Sequence, residues 1–165
     1  MPLLLALLAA CAVEDPPPLC DDGPHEAAEC GFHEDLPEDW NWRELINPDE
    51  GLDVIVVREI IGSGPGMTAQ YALRGFALVK DGCLYCVQDE DALSYTAGHH
   101  NWFDDADALI EGVKHRLHAQ FQPSDPDDPL SKWVWSYDLT GYDPDTDEVL
   151  WGPIPLALAK GSEAW

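Results

Sequence analysis

The side chains with the richest chemistry lie in the middle of the chain. Cys83-Leu84-Tyr85-Cys86 has the spacing of a thiol redox motif, and His99 and His100 follow it. Thiols so spaced work as a redox pair when one of them ionises readily, which usually takes a helix N-terminus beside it. Here the pair lies in residues 83–88, which read as a strand entered from the turn Lys80-Asp81-Gly82. Three residues along a strand place the cysteines on opposite faces, roughly 10 Å apart, and a disulfide spans only about 7 Å between Cα atoms. Either the strand breaks there or each cysteine bonds elsewhere. The two cysteines with His99 or His100 have a superficial zinc spacing, but a second histidine belongs three to five residues on, not adjacent. No metal or other cofactor is expected. His99-His100-Asn101-Trp102 precedes Asp104 and Asp105, which makes His99 and His100 the catalytic candidates for a histidine–carboxylate acid/base pair. No serine or cysteine nucleophile in a matched context accompanies them, so loop hydrogen bonding is the simpler role and an enzyme is not expected.

Carboxylates form a second group. Asp143, Asp145 and Asp147 alternate as in a calcium loop, but Glu148 stands where that loop needs glycine, and Ile154 where it needs glutamate. A polar hairpin turn accounts for them, with weak calcium binding there or at Asp125, Asp127 and Asp128 as the functional alternative. Seven tryptophans invite a sugar-stacking platform. In the register that pairs Asp143 with Glu148, however, Trp133 faces Leu158, Trp135 faces Leu156 and Tyr137 faces Ile154, which makes these aromatics core. A slip of one residue would turn them outward.

These residues need elements to position them. Residues 53–61 (DVIVVREII) are β-branched and read as a strand. The glycine-rich stretch at 62–66 has neither phosphate-loop nor nucleophile-elbow spacing and reads as a turn. Residues 70–79 and 83–88 form a hairpin about Asp81-Gly82. Ala106, Ile110, Val113, Leu117 and Phe121 recur at helical spacing, with Asp104 as cap and Pro123 as stop, which predicts a helix over 103–121. By that reading His115 and His118 face solvent. Residues 37–46, with Pro37 at the first turn, predict a short helix. Residues 133–140 and 149–159 form a last hairpin, whose return strand carries Pro153 and Pro155 and so belongs at a sheet edge. The expected fold is α+β: a small antiparallel sheet of about five strands packed against one main helix (103–121), preceded by an acidic Pro-rich arm.

The chain has 165 residues, 45% apolar, and 32 acidic against 8 basic side chains for a net charge of -24. Length and apolar content suit one folded domain plus an arm. The charge repels phosphate backbones, so no nucleic acid partner is expected. Residues 12–50 carry 13 of the acidic residues and one arginine, with Pro16-Pro17-Pro18 among them, as in a self-repelling tether.

The N-terminal run 3–10 is apolar and short of the ~20 residues that span a bilayer. Its end, Leu8-Ala9-Ala10-Cys11, resembles the lipobox of bacterial lipoproteins. The resemblance implies a signal peptide over 1–10, cleavage before Cys11, and a lipid anchor on Cys11 that holds the protein in the membrane of the cell envelope. Ala12 after the cysteine implies the outer membrane. The domain layout expected is then 1–10 signal peptide, 11–36 acidic tether and 37–165 a single domain. Four cysteines remain in an exported chain, which reads as two disulfides with three possible connectivities. We favour Cys20 and Cys30 joining the arm to Cys83 and Cys86. The expected role is a non-enzymatic binding or interaction module of the envelope, with an envelope protein or glycan as partner. A carbohydrate- or calcium-binding surface module is the alternative, followed by an enzyme using His99/His100 or Cys83/Cys86.

Overall fold

In a computed structural model, the described residues are 19–20, 27–31, 37–64, 67–87, 93–97, 103–128 and 130–160. They form ten strands and one short 3-10 turn, Ala27–Cys30. The strands are β1 (Leu19–Cys20), β2 (Trp40–Asn47), β3 (Leu52–Gly64), β4 (Met67–Lys80), β5 (Cys83–Val87), β6 (Leu93–Ala97), β7 (Phe103–Ile110), β8 (Val113–Pro123), β9 (Trp133–Tyr142) and β10 (Val149–Leu158). The expected α+β fold is therefore wrong. The described chain is almost wholly antiparallel sheet, in the order β1-β5-β4-β3-β2-β10-β9-β8-β7-β6.

The main helix predicted over 103–121 is the hairpin β7–β8. Its apolar spacing misled because steps of four are even, and even steps also keep residues on one face of a strand. The one odd step, Ile110 to Val113, crosses the turn Glu111-Gly112, where both residues have positive φ (50° and 74°) as a two-residue hairpin turn of the favoured hand requires. Asp105 and Asp107 are not a helix N-terminus. They alternate with Ala106 and Ala108, acids outward and alanines inward. The short helix expected at 37–46 is β2, an eight-residue strand paired along its whole length with β3. In both places tertiary pairing overrides local helical pattern.

Two long meanders, β2 to β5 and β6 to β10, join where β10 pairs with β2 through Ala157↔Ile46 and Leu158↔Leu45. At the other end β6 lies against β4, and β5 lies near β7. Followed round the antiparallel ladder, β5 and β6 run in the same sense, so together they flank β4 as successive segments. The sheet thus curls into a closed ring of eight strand positions, an up-and-down barrel. One continuous core fills it, drawn from Leu45, Val54, Phe76, Leu78, Val87, Ala106, Leu117, Leu139, Leu156 and their neighbours on nearly every strand. The outer face of β7 and β8 carries Asp105, Asp107, Arg116 and His118, in ion pairs.

β10 is not an edge strand. It tolerates Pro153 and Pro155 because β2 pairs only with its last two residues, while the Asn47 side-chain amide donates to the Pro155 carbonyl at 2.8 Å. The β9–β10 register starts as expected, with Val149 opposite Tyr142 and the Asp143 N–H donating to the Glu148 carbonyl at 2.9 Å. Two bulges then shift it, so that Tyr137 meets Leu156 rather than Ile154. The shift is even, and the inward face is kept.

A second, smaller core lies outside the ring. Ile55, Val57, Ala77 and Leu84 point outward from β3 to β5 and are covered by Cys30, with Trp40 and Trp42 packed against them. Cys30 bonds Cys86, with Cα atoms 5.4 Å apart. Cys83 is also disulfide-bonded, and the backbone of β1 sets Cys20 opposite Cys83. The arm is thus held on the sheet where the sequence favoured it, and Cys83 and Cys86 are not a redox pair.

Candidate functional site

Barrel interiors of this size are usually filled by apolar side chains. This one is apolar along most of its length, but near the end formed by the β8–β9 loop the described inward residues include Asn41 and four further polar ones. Arg43 follows the inward parity of Leu45 on β2, Arg58 that of Val54 and Val56 on β3, Asp104 that of Ala106 on β7, and Tyr137 that of Leu139 on β9. A bulge at Arg74 between the pairs Val57↔Gly75 and Arg58↔Leu73 tightens the sheet beside Arg58.

Both arginines are buried, Arg43 at 3% exposure and Arg58 at 2%. An Arg43 guanidinium N–H donates to the Tyr137 hydroxyl, and the guanidinium carbon lies 5.3 Å from the Tyr137 ring centre and 5.7 Å from that of Trp135. Burial, and then the charge of Arg58, pull the Arg43 pKa down to about 10 against the attraction of Tyr137 and Asp104. Burial pushes the Tyr137 hydroxyl the other way, upward, so both partners are held in the protonated form. Arg58 donates through Nε to the Asn41 side-chain oxygen at 3.0 Å and through Nη1 to Asp104 Oδ2 at 3.2 Å. The other oxygen, Asp104 Oδ1, is buried and has no hydrogen-bond partner among the described residues.

Between these groups is a cavity of about 20 Å³, lined by Arg43, Val56, Asp104, Ala106, Leu117, Ala119 and Tyr137. The small alanines leave the space that larger residues would fill. A site needs roughly 10–15 Å³ for one water, so the cavity holds a group of about that size. Further along the same inward face of β8 and β9 come Phe121 and Trp135, with ring centres 5.4 Å apart, and then Trp133, 5.5 Å from Phe121. Trp133 is 48% exposed. It is a rim residue, not the core residue that the predicted register made it.

The opposite end of the barrel is closed. Trp151 lies over Gly141, with Lys80 4.5 Å from its ring centre and the His115 ring 5.3 Å away. His115 is buried, not solvent-facing as the helix required, and its Nδ1 lies 3.0 Å from the Val113 carbonyl. Burial lowers its pKa.

His99, His100 and Cys11 lie outside the described residues. The carboxylates beside the two histidines in sequence have other partners, Asp104 with Arg58 and Asp105 with His118 Nδ1 at 2.6 Å. His118 is held above its ordinary pKa by that bond, while Asp138 nearby is raised by burial. The pair sits on the outer face, and no nucleophile follows from its geometry. Of the calcium candidates, Asp143 is bonded within its own turn and Asp147 to a neighbouring strand. Asp143 Oδ1 accepts from the Asp145 and Thr146 N–H groups at 2.9 Å each, which lowers its pKa, and Asp147 pairs with Lys114. Asp125 and Asp128 likewise accept backbone N–H groups of their own loop. Among the described residues no three histidine, cysteine or acidic side chains are grouped to hold a metal.

Sequence reasoning did not single out Arg43 or Arg58, and took Asp104 as a helix cap and as a carboxylate beside His99 and His100. A signal for Arg58 was present: in DVIVVREII it shares the strand parity of Val54 and Val56, so a strand buried on that face carries a charge inward. No family model, no curated protein and no solved structure matches the chain.

Proposed function

We propose that the chain is an exported, lipid-anchored binding module of the bacterial cell envelope, non-enzymatic, whose barrel takes a small ligand at its polar end. The observation that carries the binding site is the cavity that Arg43, Asp104 and Tyr137 line together with Val56, Ala106, Leu117 and Ala119. Buried charges cost stability unless they are paired. Arg43 and Asp104 beside a space for one small group, with Arg58 paired to Asp104, are consistent with a binding role. The anchor rests on the lipobox-like Leu8-Ala9-Ala10-Cys11, with residues 1–10 as leader, 11–36 as acidic arm and 37–165 as domain. Acylation at Cys11 is the link to the membrane, in the outer membrane by the Ala12 signal, and a net charge of -24 disfavours nucleic acid as partner.

Two measurements on protein expressed with its own leader in a Gram-negative host test this. The intact mass should show a chain starting at Cys11 and carrying several acyl groups, whereas an unlipidated chain starting at Val13 overturns the anchor. A thermal-shift screen against neutral, anionic and cationic small molecules should show saturable stabilisation by at least one class. No stabilisation by any class overturns the binding site.

A further inference from the structure

We infer that the barrel parts into two halves along the β2–β10 seam, and that the bond between Arg43 and Tyr137 is the bolt that holds this seam shut. The halves are the two meanders, β2 to β5 and β6 to β10. Within each, neighbouring strands are laddered along most of their length. Between them the ladder is short. β10 meets β2 only at Ala157↔Ile46 and Leu158↔Leu45. The Ala159 N–H adds a bond to the Glu44 carbonyl at 2.9 Å, and the Asn47 side chain one to the Pro155 carbonyl at 2.8 Å. At the other junction β6 lies against β4, and the described residues form no ladder there. No disulfide crosses between the halves, because residues 93–160 contain no cysteine. The ion pairs Arg74–Glu59, Arg116–Asp107 and His118–Asp105 each stay within one half.

Two side-chain bonds that do cross are buried at the polar end. Arg43 is the next inward residue of β2 beyond Leu45, where the ladder stops, and it donates across the seam to Tyr137 on β9. Arg58 on β3 reaches Asp104 on β7 at 3.2 Å. Hydrogen bonds from a charged donor are stronger than neutral ones, and more so where water is excluded. The Arg43 bond therefore counts most where the backbone ladder is shortest. The core is drawn from both halves, so the parted form is a minor state, reached by sub-global opening. The cavity lies between the halves, with Arg43 and Val56 on one side and Asp104, Ala106 and Tyr137 on the other. Parting the halves opens it, a consequence that rests on the binding reading above.

The test is amide hydrogen exchange of the full folded chain, followed by NMR. Antiparallel bonding alternates along a strand. The Ala159–Glu44 bond therefore makes Ile46 and Ala157, two residues away, a bonded pair across the seam. Their amides should exchange at least a hundredfold faster than those of Leu117 and Leu139, which lie in strands paired on both sides. Equal rates mean that the halves part only on global unfolding, which overturns the seam. Tyr137→Phe should speed Ile46 and Ala157 at least tenfold, by the same factor as Leu117 and Leu139, because both openings lose the bond. Faster exchange at Leu117 and Leu139 alone means that the bond survives opening of the seam, which overturns the bolt. If Tyr137→Phe does not fold, Arg43→Met removes the buried charge together with the bond and is read in the same way. These readings need no ligand, so they stand or fall apart from the thermal screen.

Discussion

Replacing Asp104 by Asn removes the carboxylate that faces Arg58 but keeps the shape of the side chain. Arg58 is 2% exposed and Asp104 meets it at 3.2 Å, with the side chains 3% and 12% exposed. Removing one partner of a buried pair costs roughly 3–5 kcal/mol, because the other charge stays buried. Arg58 keeps its bond to Asn41 at 3.0 Å, so the lower end applies, about 3 kcal/mol. That is a large share of the roughly 5–15 kcal/mol that stabilises an ordinary domain. In urea, with a slope of about 2 kcal/mol per molar, the unfolding midpoint of Asp104→Asn should fall by about 1.5 M. The double variant Asp104→Asn with Arg58→Met removes both charges and should recover most of the loss, since replacing a buried pair by apolar groups is often neutral. Tryptophan fluorescence in urea measures all three proteins. An Asp104→Asn midpoint within 0.3 M (roughly 0.6 kcal/mol) of the parent, or a double variant no more stable than the single one, would refute the reasoning.

Other outcomes follow from groups elsewhere on the barrel. Burial, and then the charge of Glu44, hold the Asp53 carboxyl at about 7 against an ordinary 3.8. The native state therefore keeps a proton that the unfolded chain has lost, and this group's contribution falls as pH rises from 3.8 to 7. Asp53→Asn should leave stability unchanged near pH 4 and raise it at pH 8, by about 2 kcal/mol once partial exposure is discounted; equal melting temperatures at pH 8 contradict this. His118 is raised by its bond to Asp105, so its contribution is full below the unfolded histidine pKa and is lost as pH rises through the higher folded value. In an NMR titration, Asp105→Asn should move the His118 midpoint down while His115 stays low. Gly141→Ala would put a methyl group into the Trp151 indole. Overpacking there should cost about 1–3 kcal/mol, read as a lower melting temperature with a shifted tryptophan emission.

The parts of this fold that were legible are those where turn chemistry and strand pattern agree. Asp81-Gly82 and the 53–61 run announced β3, β4 and β5, and the last hairpin was placed on its correct face. The arm's attachment was legible too, because two cysteines three apart on a strand need separate partners. The failures have one cause. In 103–121 the apolar spacing satisfies both a helix and a strand, in 37–46 Pro37 suits a helix start, and in both the choice lies in neighbours distant in sequence. Once β7–β8 was read as a helix, Asp104 became a cap and His115 a surface residue, so the inward ring of Arg43, Arg58, Asp104 and Tyr137 was not visible. Trp133 was misplaced more narrowly: the face was right, but the strand runs past the core to the rim.

The most direct test of a ligand-binding barrel is amide chemical-shift mapping of the folded protein, with the best ligand from the thermal screen added to saturation. The account predicts the largest shifts at Asp104, Ala106, Ala119 and Tyr137, with smaller ones at Phe121, Trp133 and Trp135 and none at the closed end around Gly141 and Trp151. Shifts confined to the outer face around Asp105, Arg116 and His118 would contradict it.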